Sequence, residues 1–193
     1  MLEGHKTRLR AYTKDDLPSR RAYLNDVELR RLVYPGIPFP SRPEDQERWY
    51  ESLDSRSDKQ YSFAIESRDD SVYVGCCTVY DIDAKNRLAA VGIFIGKEHW
   101  RKGNGSDALR VLLRFCFREI NLNRVTLRVY SFNTPAIRCF EKLGFKTEGV
   151  LRQELYRDGQ FHDTLAMGML RSEWETGDGP APGPAPGQGA AEA

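Results

Sequence analysis

Apolar residues in this chain recur with two periods, and the switches between them mark its elements. Thr7 to Tyr12 alternates as a strand does, and Thr13-Lys14-Asp15-Asp16 then supplies an N-cap with acidic residues behind it, which predicts a first helix. Ser41-Arg42-Pro43-Glu44 has the S-x-x-E spacing of a capping box with proline in the first turn, so a second helix starts there and carries Trp49, Tyr50 and Leu53 inward. Between them lies LVYPGIPFP, an apolar loop with three prolines, open to two readings: a plug over the core or the wall of a binding site.

No proline interrupts the chain between Pro43 and Pro135, as the core of a sheet requires. Tyr61 to Glu66, Val72 to Ile82 and Leu88 to Ile95 are β-rich runs separated by the turn-forming stretches SRDD and DAKN, and they predict an antiparallel meander. A helix follows from about Gly105 to Glu119. Arg110, Arg114 and Arg118 form its one polar stripe, so it is buried over most of its circumference. Arg124 to Tyr130 alternates, with Val125, Leu127 and Val129 on one face, as the second strand of a βαβ unit. Thr134-Pro135 opens a short helix that stops at Gly144. Val150 to Tyr156 and Phe161 to Leu170 flank Arg157-Asp158-Gly159-Gln160, a hairpin signal. The order β, α, α, β, β, β, α, β, α, β, β implies a mixed α/β domain: a mostly antiparallel twisted sheet of about seven strands with one βαβ unit and helices on both faces.

Composition narrows the picture. A chain of 193 residues with 40% hydrophobic and 30% charged residues suits one domain. The last eighteen residues contain fourteen Gly, Pro or Ala, so residues 1–175 are read as the folded domain and 176–193 as a flexible tail. Twenty-nine basic against twenty-eight acidic residues leave +1, which gives no general attraction to nucleic acid or to an anionic membrane, and neither is expected as a partner. The N-terminal MLEGHKTRLRAYTKDDL is charged where a secretory signal would be apolar, and a cytoplasmic protein is expected. Cys76, Cys77, Cys116 and Cys139 lie among apolar residues and read as reduced core thiols. With no CxxC pair, and with His5, His99 and His162 far apart, no metal site is expected.

The stretch richest in chemistry is Trp100-Arg101-Lys102-Gly103-Asn104-Gly105-Ser106-Asp107-Ala108, between a strand and the start of the buried helix. Glycines there let backbone N–H groups turn inward, and the helix N-terminus adds positive charge, so the segment suits a pyrophosphate, with Arg101 and Lys102 adding to it. Gly103-x-Gly105-x-x-Ala108 also fits a dinucleotide fingerprint. Against that reading, the glycines come about seven residues after the strand, and the next strand ends in Tyr130-Ser131-Phe132 with no acidic residue for a ribose.

Strand IFI, then GKEHW, then RKGNGSDALRVLLRFCF, then strand RVTLRVY, then Asn133-Thr-Pro-Ala-Ile-Arg-Cys-Phe-Glu-Lys-Leu-Gly144-Phe145 together resemble motifs A and B of the GNAT superfamily of acetyl-CoA-dependent N-acyltransferases. LRAYTKDDL and DGQFHDTLAMGML resemble the branch that includes ribosomal-protein N-terminal acetyltransferases and spermidine acetyltransferases. The resemblance implies a GNAT-like domain that uses acetyl-CoA and an amine acceptor, and leaves a homodimer open. It implies that Ile93, Phe94 and Ile95 form a bulged strand along the pantetheine, with the Ile95 N–H toward the thioester oxygen. It further implies that Arg101, Lys102, Gly103, Asn104, Gly105 and Ser106 wrap the pyrophosphate, that Asn133 bonds the pantetheine arm, and that Phe140 and Lys142 border the sulfur and the nucleotide end.

Two positions depart from that family's pattern. Phe140 stands where many members carry a tyrosine acid, and Ala90 where many carry a glutamate base. Tyr130, ending the strand beside the cofactor strand, is the substitute candidate for the acid. The expected function is transfer of acetyl to a primary amine, of a peptide, a protein or a small molecule. The alternatives are a non-catalytic acyl-CoA-binding regulatory domain, a dinucleotide-binding module and a polyamine acetyltransferase. No carboxylate occurs from Leu29 to Pro43, where Arg30, Arg31 and Arg42 bracket Tyr34, Ile37 and Phe39, the candidate acceptor-binding residues. A polyamine site needs several carboxylates, so an acceptor with an uncharged or partly acidic body is expected instead.

Overall fold

The structure, a computed structural model, describes residues 2–53 and 59–176. The seven strands are β1 (Thr7–Arg10), β2 (Tyr61–Ser67), β3 (Tyr73–Asp83), β4 (Leu88–Ile95), β5 (Arg124–Tyr130), β6 (Lys146–Arg157) and β7 (Gln160–Leu170). They form one sheet in the order β1-β2-β3-β4-β5-β7-β6, antiparallel throughout except for β4 beside β5. That parallel pair encloses α4 (Asn104–Arg114), the crossover expected from the sequence.

Alternation along the strands sorts the two faces. Val79, Val91, Val125 and Leu127 lie in one core with Leu109, Leu112 and Phe117 of the helical segment after β4, and with Phe140 of α5 (Thr134–Lys142). The opposite face carries a smaller cluster that includes Ala64, Tyr73 and Cys76, covered by α1 (Leu17–Asn25), α2 (Val27–Val33) and α3 (Pro43–Glu51). A last helix, α6 (Arg171–Thr176), lays Trp174 on Phe117 with ring centroids 5.1 Å apart.

Several expectations need correcting. The segment after Thr13 forms two helices, because the Asp26 carboxylate accepts from the Leu29 N–H at 2.7 Å and starts α2 afresh. Leu32 and Val33, read as loop, therefore belong to α2. The cap of α3 falls one residue later than the S-x-x-E spacing suggests. Asp45 turns back to the Arg42 N–H at 2.9 Å, while Ser41 Oγ accepts from Gln46. The buried helix widens into a π-turn over Phe115–Glu119, and β6 starts earlier than Val150. The hairpin is as expected, Asp158 and Gly159 both taking positive φ between β6 and β7. The tail expected from residue 176 lies, beyond Thr176, outside the described residues.

Candidate active site

The site begins where the sheet opens. Hydrogen bonding between β4 and β5 covers only Leu88–Ala90 against Arg124–Thr126, although the strands run on to Ile95 and Tyr130, so their far halves part into a wedge. The Gly96 N–H donates to the Val74 carbonyl on β3 at 2.8 Å. Since successive N–H groups of a strand point to opposite sides, the N–H and carbonyl of Ile95 point away from β3, toward the wedge. The indole N–H of Trp100 donates to that carbonyl at 2.6 Å, which ties the loop after β4 to the strand end.

Ile93, Phe94 and Ile95 line up with Cys77, Cys76 and Gly75 in unbroken register, so the bulge expected there is absent. The irregularity lies on β3, between Tyr80 and Asp83, opposite the start of β4. A Cβ on Gly75 would collide with the Phe94 carbonyl oxygen, so only glycine lets β3 come this close.

Beyond β4, Arg101 (φ 60) and Gly103 (φ 87) take left-handed conformations, and α4 starts at Asn104. Its first intrahelical bond runs from the Asp107 N–H to the Gly103 carbonyl at 3.1 Å. The N–H groups of Asn104, Gly105 and Ser106 thus project from the positive end of a long buried helix, with exposed Arg101 and Lys102 beside them. Asn104 donates to the His99 carbonyl at 3.3 Å and Ser106 Oγ to the Gly103 carbonyl at 3.0 Å, which holds the loop in shape.

Sequence reasoning missed the residue that secures this helix. The Asp107 carboxylate accepts from the backbone N–H groups of His5 (3.0 Å), Lys6 (2.9 Å) and Thr7 (2.9 Å) and from Thr7 Oγ1 (2.8 Å). Burial alone would raise its pKa, but these hydrogen bonds outweigh burial and hold the carboxyl below its ordinary value. Its one visible signal was an acidic residue in the first turn of a helix.

The opposite wall is α5 and the end of β5. Asn133 caps α5, its side-chain oxygen accepting from the Ala136 N–H at 3.3 Å and its amide donating to the Leu32 carbonyl at 3.4 Å. Phe140 is buried against Phe145, with centroids 5.9 Å apart, and Lys142 is exposed. Tyr130 stacks on Phe132 at 5.6 Å, on the sheet face that also carries Tyr80 and Ala90. Burial pushes its phenol above the usual tyrosine range, so it stays protonated near neutral pH.

On that face lies a cleft of about 850 Å³, floored by Cys76, Thr78, Tyr80, Gly92 and Phe94 and walled by Arg20, Val33 and Tyr34. A smaller compartment of about 260 Å³ shares Arg20, Leu24 and Tyr34 with it and adds Arg30 and Phe39. Tyr34 and Phe39 thus reach the cleft. Ile37 does not: it is 88% exposed, and as 71% of Phe39 is also exposed the loop is no plug over the core. The loop is pinned from outside, where Arg157 donates to the Tyr34 carbonyl and Arg31 pairs with Asp158 at 2.8 Å.

This geometry has relatives. The acetyltransferase (GNAT) domain family matches residues 6–146. A prophage-derived N-acetyltransferase of Bacillus subtilis, YokL, is 32% identical over 176 residues, 91% of this chain and 96% of its own. A putative ribosomal N-acetyltransferase of the same organism, YdaF, is 35% identical over 106 residues, 55% of this chain and 58% of its own. Among solved structures, spermidine N-acetyltransferase from Vibrio cholerae in complex with CoA and spermine superposes with a TM-score of 0.80 at 24% identity, over 88% of this chain and 98% of that one.

Proposed function

Because the chain belongs to the GNAT acetyltransferases and is an acetyl-CoA-dependent N-acetyltransferase, we propose that the wedge between β4 and β5 holds the acetyl donor while the cleft over β3 and β4 holds the amine. The observation that carries this is the wedge itself: a strand end with its N–H turned into a gap, followed at once by a helix N-terminus with projecting N–H groups. Those two donor sets fit a thioester oxygen and a pyrophosphate respectively. Arg101 to Ser106 bind the pyrophosphate, Ile93 to Ile95 flank the arm, and Phe140 and Lys142 border the sulfur and the nucleotide end. The Asn133 side chain uses one N–H on the Leu32 carbonyl and one lone pair on the Ala136 N–H, and its second N–H and lone pair remain for the arm.

The donor supplies an activated acetyl group, and the amine attacks it directly: a C–N bond forms, the C–S bond breaks and CoA leaves as the thiol. The Ile95 N–H stabilises the oxygen that gains negative charge, a contribution independent of side chain. Tyr130, a phenol that is protonated near neutral pH, donates the proton to the sulfur. Ala90 offers no base. Its cross-strand neighbour is Tyr80, followed by Asp81 in the bulge, and these two border the place where the amine loses its proton, through water.

The acceptor in this reading is a primary amine whose body is not polycationic, such as a peptide or protein α-amine or a small amine, since the segment over the cleft carries no carboxylate from Leu29 to Pro43. Cytoplasmic action is part of the proposal, given this donor and four unpaired thiols. The test is release of CoA thiol from acetyl-CoA against an amine panel, with the product identified by mass spectrometry. Turnover with a short peptide bearing a free α-amine, exceeding that with spermidine, supports the reading. A tenfold preference for spermidine overturns its acceptor part, and CoA binding without turnover of any amine would establish the non-catalytic alternative.

A further inference from the structure

Among the described residues, two buried guanidinium nitrogens on the acceptor side, Arg20 Nε and Arg30 Nε, have no hydrogen-bond partner. Buried donors left unpaired are costly, and such groups are usually matched. The two arginines come from different helices, α1 and α2, yet both line the smaller compartment. Each guanidinium lies over an aromatic face, Arg20 at 3.3 Å from the Trp49 ring centroid and Arg30 at 5.3 Å from that of Tyr34. Stacking fixes the plane of the fork, the arrangement in which its remaining N–H groups suit a planar or tetrahedral oxyanion. Their bonds within the protein are to neutral oxygens, from Arg20 to the Gln46 side chain and from Arg30 to the Leu24 carbonyl at 3.2 Å. The carboxylate in that compartment, Asp45, is held by Arg42 (3.2 Å) and Arg48 (2.6 Å).

The larger compartment has the opposite character at its far end. Asp81 stands there at φ 52, in the β3 bulge next to Tyr80 and beside the position of Ala90. Bulges commonly re-aim a side chain beside an active site. Lys59 also lines this compartment. Through the shared Arg20 and Tyr34 the cleft joins the Asp81 carboxylate, opposite the start of β4, to two stacked guanidiniums, so it offers both signs of charge, as an acceptor with an amine at one end and an anion at the other requires.

We propose that Arg20 and Arg30 form an oxyanion subsite, so that the acceptor is an amine carrying a carboxylate or phosphate. This rests on the acceptor cleft assigned above and narrows its substrate class. The probes are three series of equal chain length, from three to six carbons: alkylamines, ω-aminocarboxylates and α,ω-diamines, with ω-aminoalkyl phosphates as a fourth arm to tell the two anions apart. At the best length, kcat/KM for the anionic amine should exceed that of the alkylamine by about tenfold or more and that of the diamine by a wider margin, as for a charge-assisted contact. In Arg30→Gln, and separately in Arg20→Lys, which keeps the charge but loses the planar fork, the ratio of anionic amine to alkylamine should fall toward one. A ratio at or below one in the unaltered protein, a preference for diamines, or a ratio that survives both substitutions would overturn the subsite. If no amine of any series, and no short peptide with a free α-amine, is acetylated, the catalytic reading has failed instead. Calorimetric titration of the aminocarboxylate and alkylamine into the CoA-bound protein then decides the subsite alone, tighter binding of the aminocarboxylate supporting it and equal binding overturning it.

Discussion

Two clefts meet along β4, and they are made of different material. On the β5 side, proposed for the donor, the wall is backbone: the Ile95 N–H, the first N–H groups of α4 and a loop shaped by left-handed residues. On the β3 side, proposed for the acceptor, the wall is side chains: Arg20, Arg30, Tyr34, Tyr80 and Asp81, drawn from two helices, a loop and a strand. Backbone recognition tolerates change in the residues that provide it, so the Phe140 and Ala90 departures leave the donor wall intact. A wall of side chains changes its ligand whenever a residue changes. The donor side therefore reports the family, and the acceptor side reports the individual protein.

The largest expected effect falls on the clamp behind the donor wall. Asp107→Ala strands the N–H groups of His5, Lys6 and Thr7 and should destabilise the fold by about 3 kcal/mol in urea unfolding at neutral pH. The carboxyls of Asp107, Asp16 and Glu66 are all held below their ordinary values: hydrogen bonds outweigh burial at each, from the chain near Thr7 to Asp107, from Arg10 and Thr13 to Asp16, and from Arg10 and Arg8 to Glu66. A carboxyl depressed in the folded state contributes stability that is present above its unfolded pKa, about 4, and is lost as pH falls through the folded value. Unfolding free energies measured from pH 7 downward should hold until about pH 5 and then decline, and Asp107→Asn should flatten part of that decline.

Next comes Tyr130→Phe, which should lower kcat by about thirtyfold, inside the range usual for proton donors, with CoA affinity unchanged. An unaltered kcat would mean that water protonates the leaving sulfur. Gly103→Val follows. At φ 87 a β-branched residue is strained, and CoA affinity by calorimetry should drop by about tenfold while the far-ultraviolet circular dichroism and the order of preference among amines stay the same. A changed order among amines would show that the two walls are not independent. Smallest is Ile37→Ser: with its side chain in solvent, kcat/KM for any amine should move by less than about twofold.

This contrast also explains what could be read from the chain. The donor wall is local in sequence, from Ile93 to Ser106, and its glycines, basic pair and helix start stand next to one another. The strands were readable for the same reason, each being one continuous β-rich run, although β6 begins at Lys146, ahead of the Val150 expected. The acceptor wall was only half readable. Tyr34 and Phe39 stood out as apolar residues in a loop, but Arg20 and Asp81 look like ordinary surface charges until α1 and the β3 bulge bring them to one cleft. The break at Asp26 was hidden because a cap depends on one side-chain rotation, and so was the shift at Ser41, where Asp45 and not Glu44 turns back.

The Asp107 clamp joins residues 100 positions apart along the chain, and that spacing has a bearing on biosynthesis. While the chain is emerging from a ribosome, β1 has no partner for its first N–H groups until α4 has been made, and the wedge has no second wall until β5 follows. β1 finds its strand partner β2 earlier, but the Asp107 part of its anchorage must wait for more than half of the sequence to appear. On the reading proposed above, a nascent polypeptide stalled before about residue 130 would lack the second wall of the donor site, so that site arises late in translation.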